Sequence, residues 1–158
     1  ETIRRALPRH HAGGEAADYV MRAAVGEQVE LNDRNLPTGR KLPLTEQFAK
    51  LRGEGLRVTD CEPIEAGFTL REIEVGGKPY RGAVVENLRT GVQVFYEVDG
   101  QTVYWTIWNN GGQVPYCCPE PQSWVTNAPN AADPEAEEFR SVAPGESWSA
   151  KYRLYVRS

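Results

Sequence analysis

The sequence is poor in the residues that build metal sites and disulfide frameworks. Its 158 residues include three cysteines, Cys61, Cys117 and Cys118, and two adjacent histidines, His10 and His11. An odd number of cysteines with one vicinal pair is not a disulfide framework, and a zinc site would need more Cys or His at ligand spacing. We therefore expect buried thiols, no metal, and a reducing, cytoplasmic compartment.

Positive charge and long apolar segments are also scarce. The formal net charge is -4, whereas nucleic-acid binding needs a basic surface. No apolar run approaches the length of a membrane span, and no segment resembles a signal peptide. We therefore expect no nucleic-acid partner and no membrane partner. A hydrophobic content of 40% and a charged content of 25% are typical of one globular domain, residues 1–158.

The sequence does contain short segments with alternating apolar and polar residues, separated by turns. These predict strands at 18–25, 68–75, 81–86, 93–98, 102–108 and 148–157. The Ala-rich middle of the first segment is also compatible with a helix. Gly76-Gly77 and Gly91 predict turns, and Asp99-Gly100 predicts a two-residue turn that joins 93–98 and 102–108 in a hairpin. In 148–157 we expect Trp148, Ala150, Tyr152, Leu154 and Val156 on the buried face.

One short helix and one long loop complete the prediction. Thr45 is a candidate N-cap, Leu44, Phe48 and Leu51 follow helical spacing, and Gly53 can end the helix. Residues 127–142 are polar and predict a surface loop whose acidic run, 135–138, is solvated. The fold class is therefore all-β with one short helix, and the pattern is consistent with a β-sandwich.

A glutamate between two prolines follows an aromatic strand. Thr106-Ile-Trp-Asn-Asn-Gly-Gly112 leads to Cys117-Cys-Pro-Glu-Pro-Gln-Ser-Trp124, in which Pro119 and Pro121 flank Glu120. Because proline fixes φ and cannot donate to a ladder, we expect a strand exit at this point. A carboxylate held beside aromatic rings and amide side chains is suited to binding a sugar and moving its protons.

This stretch resembles the C-terminal part of the aldose 1-epimerase (galactose mutarotase-like) family. In that family the glutamate of a Glu-Pro pair after a Trp-Asn strand is the catalytic base. Leu36-Pro-Thr-Gly39 is similar to the family's Pro-Thr-Gly turn, and Ala143-Pro-Gly-Glu-Ser147 is similar to the segment before its last strand. The resemblance covers residues 26–158 and implies that the fold is part of a large β-supersandwich.

The resemblance also implies that the chain corresponds to the C-terminal half of a domain about twice as long. Glu1 is not a methionine, so we expect a processed product, a fragment or one half of a split protein. A lone half leaves sheet edges and an apolar face open. We therefore expect the chain to need the N-terminal half of the domain, or an oligomeric partner, for activity.

The chemistry that the resemblance implies is the interconversion of sugar anomers without a cofactor. A base takes the proton of the anomeric hydroxyl and an acid protonates the ring oxygen. The ring opens, the C1–C2 bond rotates, and reclosure gives the other anomer. The resemblance assigns Glu120 as the base. The family's acid is a histidine upstream of the Pro-Thr-Gly turn, so His10 or His11 would serve. An equally compatible interpretation is that both histidines are polar residues of the chain terminus without a functional role.

Further residues are candidates for holding the sugar. Glu65 occupies the position of a family aspartate that binds hydroxyls, and Asp60 competes with it. Trp108 and Trp124 are candidates for stacking on the sugar, although aromatic residues in a β-sandwich also fill cores. Asn109 and Gln122 are candidates for bonding hydroxyls, or they stabilise turns.

Three other functions are compatible with the same residues. The first is a non-catalytic carbohydrate-binding β module in which Glu120 only accepts hydrogen bonds. The second is a hexose-6-phosphate 1-epimerase, which would need arginines near the pocket for the phosphate; Arg34, Arg40, Arg71 and Arg81 are available. The third is a structural half-chain with no activity of its own.

Overall fold

The fold consists mainly of β-strands in a computed structural model, which describes residues 15–60, 65–109 and 116–158 except the side chains of Val58 and Glu65. The described strands are β1 (Tyr19–Ala23), β2 (Val25–Leu31), β3 (Pro37–Leu42), β4 (Leu56–Arg57), β5 (Glu65–Leu70), β6 (Ile73–Val75), β7 (Lys78–Tyr80), β8 (Gly82–Asn87), β9 (Gln93–Val98), β10 (Tyr104–Trp108), β11 (Cys118–Gln122) and β12 (Tyr152–Arg157). One α-helix, α1 (Glu46–Ala49), and 3-10 helices at Ala16–Asp18, Lys50–Arg52, Val58–Asp60 and Ala128–Asn130 accompany them.

Two antiparallel sheets and one hairpin contain these strands. Sheet A has the order β12-β9-β8-β1-β4, and sheet B has the order β11-β10-β5-β2-β3. The hairpin of β6 and β7 places Tyr80 edge-on against Phe95 of sheet A, with ring centroids 5.7 Å apart. The predicted all-β sandwich with one short helix is therefore confirmed.

The main core lies between the two sheets. Phe68 and Trp105 of sheet B are fully buried and pack in one cluster with Met21 and Ala83 of sheet A. Tyr96 of sheet A meets Trp105 edge-to-face at 6.0 Å. Truncating an aromatic residue at such a site to alanine costs roughly 3–5 kcal/mol, so these contacts contribute strongly to holding the two sheets face to face. The opposite, outer face of sheet B is not part of this core.

The short helix forms where its capping signal predicts. The Thr45 hydroxyl accepts a hydrogen bond from the Phe48 backbone N–H at 3.3 Å, which satisfies one of the free donors of the first turn. Phe48 packs edge-on against Phe68 with ring centroids 5.0 Å apart, and the following 3-10 turn ends at Gly53. In the part of the chain that the structure describes, no helix is long and apolar enough to cross a membrane.

The hairpin predicted between 93–98 and 102–108 is wrong. Strand β9 pairs with β8 and β12, whereas β10 pairs with β5 and β11, so the Asp99-Gly100 turn carries the chain from sheet A to sheet B. The Arg81 guanidinium donates to the carbonyl oxygens of Asp99 (3.1 Å) and Thr102 (2.6 Å). The turn is also fastened to the chain before β12, because the Lys151 N–H donates to Asp99 Oδ2 at 2.6 Å.

The strand predicted at 68–75 is two strands. β5 ends at Leu70 in sheet B, and β6 begins at Ile73 in the separate hairpin. The Arg71 N–H leaves the sheet B pairing and donates to the Ala24 carbonyl at 3.0 Å. The predicted turns at Gly76-Gly77 and Gly91 are confirmed, and all three glycines have positive φ.

The predicted strand exit around Glu120 is wrong, because Cys118–Gln122 is a strand of sheet B. Among the strands that the structure describes, β11 is at the edge of sheet B and has β10 as its single neighbour. An edge strand needs ladder donors only from alternate residues, and Pro119 and Pro121 occupy alternate positions. The prolines therefore fit within the strand and leave Glu120 between them in register with β10.

The C-terminal segment forms a strand, but its predicted burial is wrong. β12 begins at Tyr152, and four of the five residues expected to be buried are exposed: Trp148, Tyr152, Leu154 and Val156. Leu154 and Val156 pair with Tyr96 and Val94 of β9, so they continue the inner face of sheet A. The apolar inner face therefore extends beyond the area that the described strands of sheet B cover.

The loop predicted at 127–142 contains two buried residues. Ala128 packs with Val29, Tyr104 and Val125 in a second apolar cluster on the outer face of sheet B. The acidic run is not solvated throughout, because Glu137 is buried. Glu137 forms an ion pair with Lys41 of β3. The two residues are 96 positions apart, so a local sequence pattern does not predict the pair.

Candidate functional site

The outer face of sheet B brings together several of the predicted site residues. In the register of β10 and β11, Thr106 lies opposite Glu120, Tyr104 opposite Gln122 and Trp108 opposite Cys118. Residues directly opposite, and residues two apart along a strand, share one face. Trp105 and Ile107, at the alternate positions, are buried in the core between the sheets. Glu120, Gln122 and Trp108 therefore share the outer face.

Glu120 lies at the edge of this face, in the middle of strand β11, and is half-buried. Its direct neighbour Thr106 lies roughly 5 Å away between Cβ atoms, and Gln122 follows about 7 Å along the same strand, by ordinary sheet geometry. A carboxylate, a hydroxyl and an amide group are thus neighbours on this face. Such groups can accept and donate hydrogen bonds to hydroxyls, and the carboxylate can take a proton.

An aromatic pair borders this face at the end of β10. The rings of Trp108 and Tyr116 lie 5.9 Å apart at a tilt of 48°, and both side chains are half-buried. Asn109 follows directly and is buried. Trp108 is therefore in position to contact a ligand above Glu120, whereas Asn109 lies beneath the surface.

Gln122 lies at a small cavity of about 70 Å³ on the same face. Tyr104, Thr106 and Thr126 also line it. Gly67 of β5 pairs with Thr106 and also lines this cavity. A Cβ at this position would lie 3.4 Å from the Val29 side chain and would occupy part of the space in front of the sheet. The absence of a side chain at Gly67 thus keeps the floor of the face low.

Trp124 is separate from the strand residues of the face. It packs edge-on against Phe139 with ring centroids 5.6 Å apart and belongs to the cluster around Val29 and Val125. Its contacts are those of a packing residue that holds the 125–139 segment on sheet B.

Several predicted residues lie outside the described part of the chain. They are His10 and His11, and with them the predicted acid. Glu65 is the first residue of β5 and pairs with Trp108, so its backbone lies next to the aromatic pair. Its side chain is not among the described residues. Its competitor Asp60 is exposed and ends the 3-10 helix Val58–Asp60, where it accepts from the Thr59 hydroxyl at 3.1 Å.

A buried polar network that sequence reasoning missed adjoins the face. Lys41 Nζ lies 2.7 Å from Glu137 Oε2, and the Tyr104 hydroxyl donates to the same oxygen at 3.4 Å. Burial, followed by the negative charge of Glu137 and this hydrogen bond, raises the pKa of Tyr104 to about 12. Because alternate residues of a strand share one face, the pattern of β10 could have placed Tyr104 on the same face as Thr106 and Trp108. Lys41 and Glu137 are 96 residues apart, so no local pattern pairs them.

Comparison with known proteins agrees with this architecture. The chain is similar to the crystal structure of a galactose mutarotase-like protein from Clostridium acetobutylicum, with 33% sequence identity and a TM-score of 0.85. The chain has a galactose mutarotase-like β-sandwich fold. The similarity covers 92% of this chain and 43% of that protein, so the chain spans less than half the length of the structure it matches. No protein-family model matches the chain.

Proposed function

We propose that the outer face of sheet B binds a sugar, and that the chain contributes this face to an aldose 1-epimerase-like enzyme that interconverts sugar anomers. The observation that carries the proposal is the shared face of Glu120, Gln122 and Trp108 in register with Thr106. The galactose mutarotase-like fold supports a sugar as the ligand class.

Glu120 acts as the base in this proposal. Its carboxylate takes the proton of the anomeric hydroxyl, and Gln122 and Trp108 orient the ring by a hydrogen bond and by stacking. His10 or His11 supplies the proton that the ring oxygen accepts when the ring opens. A positioned acid and a positioned base each contribute roughly 10²–10⁴-fold to the rate.

A neutral sugar is favoured over a sugar phosphate. None of the four arginines considered for a phosphate belongs to β10 or β11. Arg81 is engaged by the Asp99–Thr102 turn, and Arg40 lies on β3 in an exposed ion pair with Glu30 at 3.5 Å. A phosphate beside Glu120 would also face a like charge, which disfavours binding.

The uncovered apolar face of β12 supports a protein partner. Leu154 and Val156 are 55% and 63% exposed on the inner face of sheet A. We propose that the remainder of a galactose mutarotase-like sandwich covers them, in cis or as a second polypeptide, because the matched protein contains more than half of its length outside this region. That remainder would also supply further walls of the sugar site.

Polarimetry of a freshly dissolved α-aldose tests the function, on the protein in its complete assembly. The Glu120→Gln variant keeps the shape of the side chain but cannot act as a base, so the enzymatic rate should fall by roughly 10²–10⁴-fold while sugar affinity, from equilibrium dialysis, stays close to the parent's. Glu146→Gln, at an exposed position, is the matched control and should retain the parent rate.

Two outcomes would overturn the assignment. Equal rates for the parent and Glu120→Gln would show that Glu120 is not the base. A parent assembly that binds sugar without accelerating anomer exchange would favour the carbohydrate-binding module instead.

A further inference from the structure

A second cavity, larger than the one at Gln122, lies between the start of β3, residues 37–39, and the 125–137 segment. We call it the loop cavity. Its volume is about 320 Å³, at the lower end of the range for small-molecule sites. Its polar lining residues are Thr38, Thr126, Asn127, Asn130, Asp133 and Glu137. Pro37, Val125 and Thr126 line both cavities, so the two adjoin.

The carboxylate of Glu137 is built into the wall of this cavity. Both Lys41 and the Tyr104 hydroxyl contact the same oxygen, Oε2. The other oxygen, Oε1, lies beside Gly39, where a Cβ would be 3.8 Å from it. Gly39 has φ +87°, a conformation that favours glycine, and the absent side chain leaves Oε1 on the cavity side.

Two amide side chains, Asn127 and Asn130, also line the cavity. Asn127 has φ 64°, and its Oδ1 accepts from Asn130 Nδ2 at 2.8 Å. This bond uses one donor and fixes both side chains, and each amide has further donor or acceptor capacity. Together with Glu137, these asparagines give the lining a carboxylate and two amides, which can accept hydrogen bonds from hydroxyl groups and donate to them.

The charge balance selects the ligand class. Lys41 pairs with Oε2 of Glu137 and offsets its charge, and Asp133 adds a second carboxylate to the lining. Among the described lining residues there is no arginine or lysine. Because Lys41 is already paired with Glu137, an anionic ligand would meet the carboxylate of Asp133 with no cation in the described lining to pair with. Neutral hydroxyls can instead donate to Glu137 and accept from the asparagines.

We propose that the loop cavity is a second binding site, for a neutral polyhydroxylated ligand such as a glycoside ring, distinct from the Glu120 face. Glu137 Oε1 accepts hydrogen bonds from its hydroxyls, and Asn127 and Asn130 bond to the others. The inference does not depend on anomer exchange, because nothing in this cavity requires a free anomeric hydroxyl.

The test uses methyl β-D-glucopyranoside, which cannot exchange its anomers, and methyl β-D-glucuronide, its anionic counterpart. Two-dimensional NMR of the ¹⁵N-labelled protein should show saturable shifts of the Asn127 and Asn130 side-chain amides with the neutral glycoside. The uronate should bind roughly tenfold or more weakly, because of like-charge repulsion.

Cavity-filling variants separate this site from the Glu120 face. Ala136 and Ala132 are exposed and line the cavity, so Ala136→Leu and, independently, Ala132→Leu should fold normally and abolish the amide shifts. Ala143→Leu, exposed and outside the lining, should leave them unchanged. Unaltered binding in both filled variants, equal binding of the uronate, or shifts confined to Thr106 and Gln122 would each overturn the second site; the last would leave the sugar face supported.

Discussion

The ion pair of Lys41 and Glu137 gives the sharpest test of how the 125–139 segment is held on sheet B. Their atoms Nζ and Oε2 lie 2.7 Å apart, and the side chains are 20% and 8% exposed. Lys41→Met removes the cation and keeps the apolar stem. Glu137 would then be a buried carboxylate whose remaining described contact is the long hydrogen bond from Tyr104.

The expected cost follows from burial. Breaking a buried ion pair from one side costs roughly 3–5 kcal/mol, and the partial exposure of Lys41 lowers this to about 2–3 kcal/mol through solvent screening. In the double variant Lys41→Met/Glu137→Leu neither charge remains, so part of the lost free energy of unfolding should be recovered. The Tyr104 hydroxyl loses its acceptor, which should keep the double variant about 1–2 kcal/mol below the parent. Lys50→Met is the control, because the Lys50–Glu54 pair is exposed at 3.9 Å and should contribute under about 0.5 kcal/mol.

Urea unfolding at pH 7, followed by tryptophan fluorescence, measures all four free energies. The reasoning fails if Lys41→Met costs no more than Lys50→Met. It also fails if the double variant is at least as destabilised as the single one, since the cost would then come from lost packing and not from an unpaired charge.

Three further predictions address the backbone, the titration of Tyr104 and the open edge. Gly82→Ala should cost roughly 1–3 kcal/mol in urea unfolding, because its Cβ would overlap the Tyr96 carbonyl oxygen and lie 2.8 Å from the Tyr80 hydroxyl, whereas Gly100→Ala meets nothing within 4 Å and should be near neutral; equal effects would contradict this. Tyr104 should ionise near pH 12 in ultraviolet titration, compared with about 10 when unfolded. Because the unfolded state releases its proton first, the stability due to Tyr104 is complete below about pH 10 and is lost between about pH 10 and 12. Tyr104→Phe should remove this part of the pH dependence of the free energy of unfolding. Light scattering should detect self-association of the isolated chain that Leu154→Ser/Val156→Ser reduces; a parent that stays monomeric at high concentration would contradict the uncovered face.

Local signals in the sequence predicted many of the elements, but they did not predict β2 and β3 or all of the strand partners. Thr45 and Gly53 set the helix, and 93–98 matches β9 because alternation and turn residues act within a few positions. The Asp99-Gly100 turn failed as a hairpin signal because Arg81, about twenty residues upstream, binds both ends of the turn and fixes the change of sheet. Pairing between distant strands is decided by such long-range contacts.

In the candidate site too, residues on neighbouring strand positions were predicted, whereas those that depend on long-range contacts were not. Glu120, Gln122 and Trp108 were identified from the sequence, and their common face follows from the register of β10 and β11. The loop cavity was not predicted, since Lys41 and Glu137 meet only after β3 and the 125–139 segment are in place. The burial of β12 was misjudged for a related reason: alternation indicates which face is apolar but not whether anything covers it.

A structure of the complete assembly of the Glu120→Gln variant, determined with an aldose bound, tests the central claim most directly. The account predicts one pyranose ring on the outer face of sheet B, with its anomeric oxygen within hydrogen-bond distance of residue 120, Trp108 against the ring, and His10 or His11 at the ring oxygen. A ring bound elsewhere, with both histidines far from residue 120, would contradict the site and the two-residue mechanism together.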